Sequence, residues 1–138
     1  MKKYFLGIVC CWLVACTSVP LVYEEAPSVR LDSTLFVRTQ GMFEPYHIPF
    51  QAVSFYDGES VRVIYFSPLG IKLADMQVFS DKIVVYFTNK QFPKRALNAF
   101  ARLARQHLGF ACPPPTGIYK DSASRGTFEV ESTGGVCP

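Results

Sequence analysis

Between residues 35 and 88 the chain is a run of five segments rich in β-branched and aromatic residues: Leu35–Phe43, Phe50–Tyr56, Val61–Phe66, Ile71–Phe79 and Lys82–Thr88. Turn chemistry parts them, at Glu44-Pro45, Asp57-Gly58, Ser67-Pro68-Leu69-Gly70 and Ser80-Asp81. Proline presets φ at such places, glycine accepts positive φ, and aspartate or serine hydrogen-bonds its own turn. The links hold two to six residues, too few for the crossover of about a dozen that parallel strands require. The pattern therefore predicts antiparallel hairpins joined in one meander with a strong right-handed twist.

A helix is predicted next. From Pro93, tolerated in a first helical turn, Ala96, Leu97, Phe100, Ala101, Ala104 and Leu108 recur at steps of three and four, and Gly109 stands where a C-terminal cap belongs. Lys94, Arg95, Asn98, Arg102 and Arg105 fall mainly on the opposite face. The helix is thus amphipathic and should lie on the sheet, with its basic side either a solvated surface or one that meets anionic headgroups. Thr116–Lys120 and Gly126–Glu131 form a final hairpin around Asp121–Arg125. The fold class expected is α+β: a twisted, half-barrel-like antiparallel meander with one packed helix and a C-terminal hairpin.

Residues 1–15 stand outside this pattern. Met1-Lys2-Lys3 is a positive start, Tyr4–Val14 an apolar run of eleven, and Ala15 a small residue before Cys16. As a helix the run rises about 16 Å, short of a bilayer core of about 30 Å, so a cleaved secretory signal is expected rather than a membrane span. Leu13-Val14-Ala15-Cys16 resembles the lipobox of bacterial lipoproteins, which implies that Cys16 becomes the acylated first residue of the mature chain. Thr17, not aspartate, follows it, which in the enterobacterial sorting pattern implies the outer membrane, with the domain facing the periplasm. Residues 16–33, carrying Pro20 and Pro27, read as a lipid-anchored tether with a short strand near Val29, and residues 34–138 as one domain.

The 138 residues hold 14 Lys+Arg against 11 Asp+Glu, and loss of Lys2 and Lys3 leaves a net charge of +1. No basic block occurs, so the electrostatic footprint of a nucleic-acid binder is missing. A hydrophobic share of 49% excludes disorder. After cleavage and acylation only Cys112 and Cys137 keep free thiols. In an oxidising compartment they are expected to pair, closing a loop of 26 residues and stabilising the fold by about 3 kcal/mol. A metal pair or redox thiol is the alternative, which the absence of CxxC and of suitably spaced histidines disfavours.

Enzyme chemistry finds no foothold. No serine lies in G-x-S-x-G, His47 sits among Tyr46, Ile48 and Pro49, and His107 adjoins Leu108 on the apolar side of the helix. Asp57, Glu59, Asp75 and Asp81 lie in or beside turns, and no P-loop, Rossmann or metal-ligand spacing is present. The chain reads as non-enzymatic, without cofactor or metal.

The informative feature is the second face of the sheet. In Val61–Phe66 both alternating sets, Val61/Val63/Tyr65 and Arg62/Ile64/Phe66, are largely apolar; in Ile83–Thr88 the sets are Ile83/Val85/Phe87 and Val84/Tyr86. An antiparallel sheet with one wet face alternates apolar with polar, so both faces are expected to be covered at the centre. One helix and a hairpin cover one; the other meets the tether and tail, a partner, or an apolar ligand.

The strand entering Ser67-Pro-Leu-Gly70 and leaving through Ile71-Lys-Leu-Ala-Asp-Met-Gln-Val78, after a lipoprotein signal and a leading strand with Gln40-Gly41, resembles the opening of the lipoprotein-localisation factors LolA and LolB. The resemblance spans roughly residues 34–108. It implies a curved half-barrel, closed by helices, that holds acyl chains in an apolar cavity. The mature chain is about a third shorter than a typical LolB. The expected role is binding of an acyl chain or lipidated partner and its placement at the outer membrane. Inward residues are expected from Val53, Phe55, Val63, Tyr65, Leu73, Val85 and Phe87, with Leu69 as the candidate membrane-facing tip. The alternatives are a structural lipoprotein of an envelope complex that binds no lipid, and a small inhibitor or binding lipoprotein acting through Glu44–Pro49.

Overall fold

A computed structural model describes residues 20–26, 36–56, 59–108 and 116–135, the side chains of residues 107 and 108 excepted. The signal segment, Cys16, Val29, Asp57-Gly58, Gly109, Cys112 and Cys137 lie outside the described residues.

Eight strands form one open sheet: β1 (Leu21–Tyr23), β2 (Phe36–Glu44), β3 (Ile48–Tyr56), β4 (Val61–Phe66), β5 (Lys72–Val78), β6 (Ile83–Thr88), β7 (Gly117–Asp121) and β8 (Gly126–Gly135). Their order across the sheet is β1-β6-β5-β4-β3-β2-β8-β7. The five-strand meander β2 to β6 is present, each strand antiparallel to the next. Its two flanks differ from expectation. The C-terminal hairpin docks β8 antiparallel on β2, which extends the sheet, and β1 adds to β6 in parallel, so the sheet is mixed rather than wholly antiparallel. Leu21-Val22-Tyr23 is three residues long and pairs across some sixty positions of sequence, so no local periodicity marks it.

The helix α1 spans Lys94–Leu103 after Pro93, and its last turns widen into a π segment, Ala104–Leu108. Its apolar stripe, Ala96, Leu97, Ala99, Phe100, Ala101 and Leu103, is buried. That stripe meets Phe43, Phe50, Ala52, Val63, Tyr65, Ala74, Met76, Val85 and Phe128 from six strands. Phe100 is the hub: its ring lies 4.8–5.6 Å from those of Tyr65, Phe50, Phe128, Phe92 and Phe43, mostly edge-on, an arrangement the ring quadrupoles favour. Two glycines make room for this cluster. A Cβ on Gly41 would meet the Phe50 ring and the Glu129 carbonyl, and one on Gly126 would meet the Phe43 ring.

Strand alternation puts the remaining side chains on the face away from α1, except at two bulges. The pairing shifts between Tyr65 and Phe66 on β4 and between Asp75 and Met76 on β5. The first leaves Leu73 packed against the helix-side core. The second places Tyr86 and Phe87 on the same side, the face away from α1, which is uncovered among the described residues, because a bulge sets two successive residues opposite one. Phe87, expected to align with Ile83 and Val85, is therefore opposite Asp75 and 42% exposed.

Candidate functional site

The register builds the uncovered face as rows running across the strands. One row is Arg38, Val53, Ile64, Asp75 and Phe87; its neighbour is Phe36, Phe55, Arg62, Gln77 and Val84. At their centre Asp75 is 1% exposed and accepts two hydrogen bonds from Arg62, Nε to Oδ1 at 2.9 Å and Nη2 to Oδ2 at 2.7 Å. Lys72 Nζ stands 3.5 Å from the same carboxylate. The Arg62 guanidinium also lies over the Tyr86 ring, Tyr86 donates to Gln77 Oε1 at 2.5 Å, and Gln77 donates to Ser60 Oγ at 2.7 Å. The carboxylate beside Arg62 raises the guanidinium pKa further, against the opposing effect of burial. Here the apolar floor that the sequence displays is roofed by the chain's own long polar side chains, whose stems cover apolar surface.

Nearer the β2–β3, β4–β5 and β7–β8 turns the face opens into a groove of about 620 Å³. One wall is the row Pro49, Met42, Glu129 and Ile118, continued by Pro68; the next is Gln51, Gln40 and Glu131. Gln40 Nε2 donates to Glu131 Oε2 at 3.2 Å. Met42, Ile118, Pro49 and Pro68 supply the apolar surface, and Ile118, on the edge strand β7, is 66% exposed. Pro68 at the groove's end precedes Leu69, which is 88% exposed, and Ile71 on the same turn is 54% exposed. Gly70 has φ +84°, the conformation that carries the chain around this tip and that glycine accepts without strain.

The seven residues expected to line an apolar cavity do not come together. Val63, Tyr65 and Val85 are buried in the helix-side core, and Leu73 packs against it. Val53 and Phe55 lie on the uncovered face, Phe55 with its ring 6.1 Å from Phe36, and Phe87 joins them through its bulge. Burial raises the pKa of Tyr65 well above the usual phenol value, and that of Tyr56 to about 12. His47 is exposed and pairs with Glu44 at 2.8 Å. No local pattern joins Met42 and Gln40 to Glu131 and Ile118, because β8, which carries Glu131 and pairs with β7, meets β2 only through long-range pairing.

Among the described residues no group of three or more His, Cys, Asp or Glu side chains is placed to hold a metal ion. Among the same residues, no helix is long and apolar enough to cross a membrane. Comparison of the chain with protein-family models, curated proteins and solved structures finds no match.

Proposed function

We propose that this chain is a lipid-anchored, non-enzymatic domain on the periplasmic side of the outer membrane, which holds an acyl chain or lipidated partner and aids its placement there. In this reading the open sheet is a strongly twisted half-barrel of the LolA/LolB kind, and Cys16 carries the anchor. The observation that carries the proposal is the adjacency of groove and tip: the groove ends at Pro68, beside the exposed Leu69. A volume of about 620 Å³ falls within the roughly 300–1,000 Å³ of small-ligand sites. Each methylene buried there contributes about 0.8 kcal/mol before ordering losses. The helix side is filled by aromatic rings, so the ligand takes the uncovered face.

Native mass spectrometry of the full chain with added fatty-acyl probes tests this. Expected is an acyl adduct that Met42→Lys with Ile118→Glu removes while the circular dichroism spectrum stays unchanged. A chain that ignores every probe sinks the carrier reading.

One observation favours a second reading, an interaction lipoprotein of an envelope complex. Among the described residues β7 pairs only with β8, leaving an edge whose backbone groups and exposed Ile118 suit an added partner strand. Hydrogen-exchange protection of β7 on co-purification with a protein, without any acyl ligand, would select it.

A further inference from the structure

We infer that the cleft between α1 and the β7–β8 turn is a binding site for a phosphate group. The cleft, about 490 Å³, is lined by Arg95, Asn98, Arg102, Ser124 and Arg125 together with Ala123. The Asp121 carboxylate beside it is already engaged. Asp121 receives Arg102 through two hydrogen bonds, at 2.7 and 2.9 Å, and Ser124 through both its backbone N–H and its hydroxyl. Arg95 and Arg125 are left as net positive charge, both exposed, with no carboxylate partner among the described residues.

Two features mark the positions of Arg95 and Arg125 as ones that helix and turn propensity alone do not favour for arginine. The first turn of α1 carries Lys94 and Arg95 and no acid, and Pro93 gives no side-chain cap; cations at a helix N-terminus oppose the helix dipole, which favours anions there. Arg125 has φ 57°, a left-handed conformation that glycine or asparagine adopts more readily than arginine. An anion in the cleft relieves the first conflict and gives the guanidinium groups the forked oxygen partners that suit their geometry. Phosphate is favoured over a carboxylate because Arg95 and Arg125 approach from the helix and the turn, and a phosphate presents oxygens in more than one plane.

Location adds to the chemistry. The register puts the β7–β8 turn, the β2–β3 turn and the β4–β5 turn with Leu69 at one end of the sheet, since Thr127 pairs with Glu44, Ile48 with Phe43, and Gln51 with Phe66. A phosphate-bearing lipid headgroup and a free phosphate both satisfy the cleft. The inference does not depend on the acyl-binding reading.

The test follows the arginine side-chain Nε–Hε resonances of the full chain in neutral micelles by NMR. Inorganic phosphate, phosphatidylglycerol and phosphatidylcholine are titrated in turn. Expected are saturable shifts at Arg95 and Arg125 that weaken with salt, and an affinity at least tenfold lower in Arg95→Gln with Arg125→Asn. The asparagine suits the left-handed turn, so folding is preserved. Lys82→Gln, on the far side of the sheet, leaves binding unchanged. Response to phosphatidylglycerol but not inorganic phosphate assigns the headgroup; an equal response to both assigns free phosphate. No saturable shift with any of the three, or binding that survives the double substitution, overturns the inference.

Discussion

The Tyr65 hydroxyl donates to the backbone carbonyl of Phe100 across 2.9 Å, joining the centre of the sheet to the middle of the helix beside the rings of Phe50 and Phe100. Tyr65→Phe keeps the ring and deletes this bond, so a loss of about 1 kcal/mol is expected in denaturant unfolding. Burial raises the pKa of both Tyr65 and Tyr56 above the usual 10, Tyr56 to about 12. A phenol whose folded pKa is raised stabilises the fold below its unfolded pKa and loses that contribution as pH climbs past it. Stability should therefore fall above pH 10, and less steeply in Tyr65→Phe, as read by thermal unfolding between pH 9 and 12.

Phe100 touches five rings, so its deletion opens a void that no single neighbour can refill. Phe100→Ala is expected to cost about 3–5 kcal/mol. Phe87→Ala, on the exposed side of its bulge, should stay within about 0.5 kcal/mol. Equal losses at the two sites in urea titrations would contradict the placement of Phe87 on the uncovered face.

Arg62 and Asp75 form a paired charge whose carboxylate is almost wholly out of water. Arg62→Met alone leaves that carboxylate only Lys72, at 3.5 Å, and should cost up to about 3–5 kcal/mol, whereas Arg62→Met with Asp75→Leu should recover most of the loss, since buried ion pairs are often replaceable by apolar pairs. A double-mutant cycle in denaturant measures this. Additive losses would mean that the two side chains do not act as a pair.

This pair also marks where sequence reading stops. The meander, the amphipathic helix and the terminal hairpin follow from local signals: turn residues at short spacing, a three-to-four periodicity, and β-rich runs. The apolar second face of Val61–Phe66 was equally visible, but its cover was not. By sequence alone Asp75 reads as a turn carboxylate, and only the register of β4 on β5 brings Arg62 over it. The bulges at Leu73 and Tyr86 were hidden for the same reason, because a pairing shift depends on the partner strand. Hence the cavity residues divided between two faces, as a one-residue slip dictates. The groove required β8 beside β2, a contact about ninety residues apart in sequence that no local pattern encodes. Leu69 was legible as a tip because a Pro-Leu-Gly turn between two strands presents its middle residue outward.

Asp121 offers a test of the cleft's electrostatics in acid. Its carboxyl pKa is lowered, chiefly by the hydrogen bonds from Arg102 and further by Ser124, against the opposing effect of burial. A carboxylate with a depressed folded pKa contributes stability above its unfolded pKa of about 3.9, and that contribution is lost as pH falls through the folded value. Arg102, its own pKa raised by Asp121, stays charged throughout. Asp121→Asn should therefore lower the melting temperature at pH 5–7 by an amount independent of pH, and the gap to the unsubstituted chain should close progressively below pH 4. Arg102 is 38% exposed at its side chain, so solvent screening keeps the effect small and salt should shrink it further. A gap that widens in acid would mean that Asp121 is held in its protonated form, and the cleft's net charge would then be greater than the structure implies.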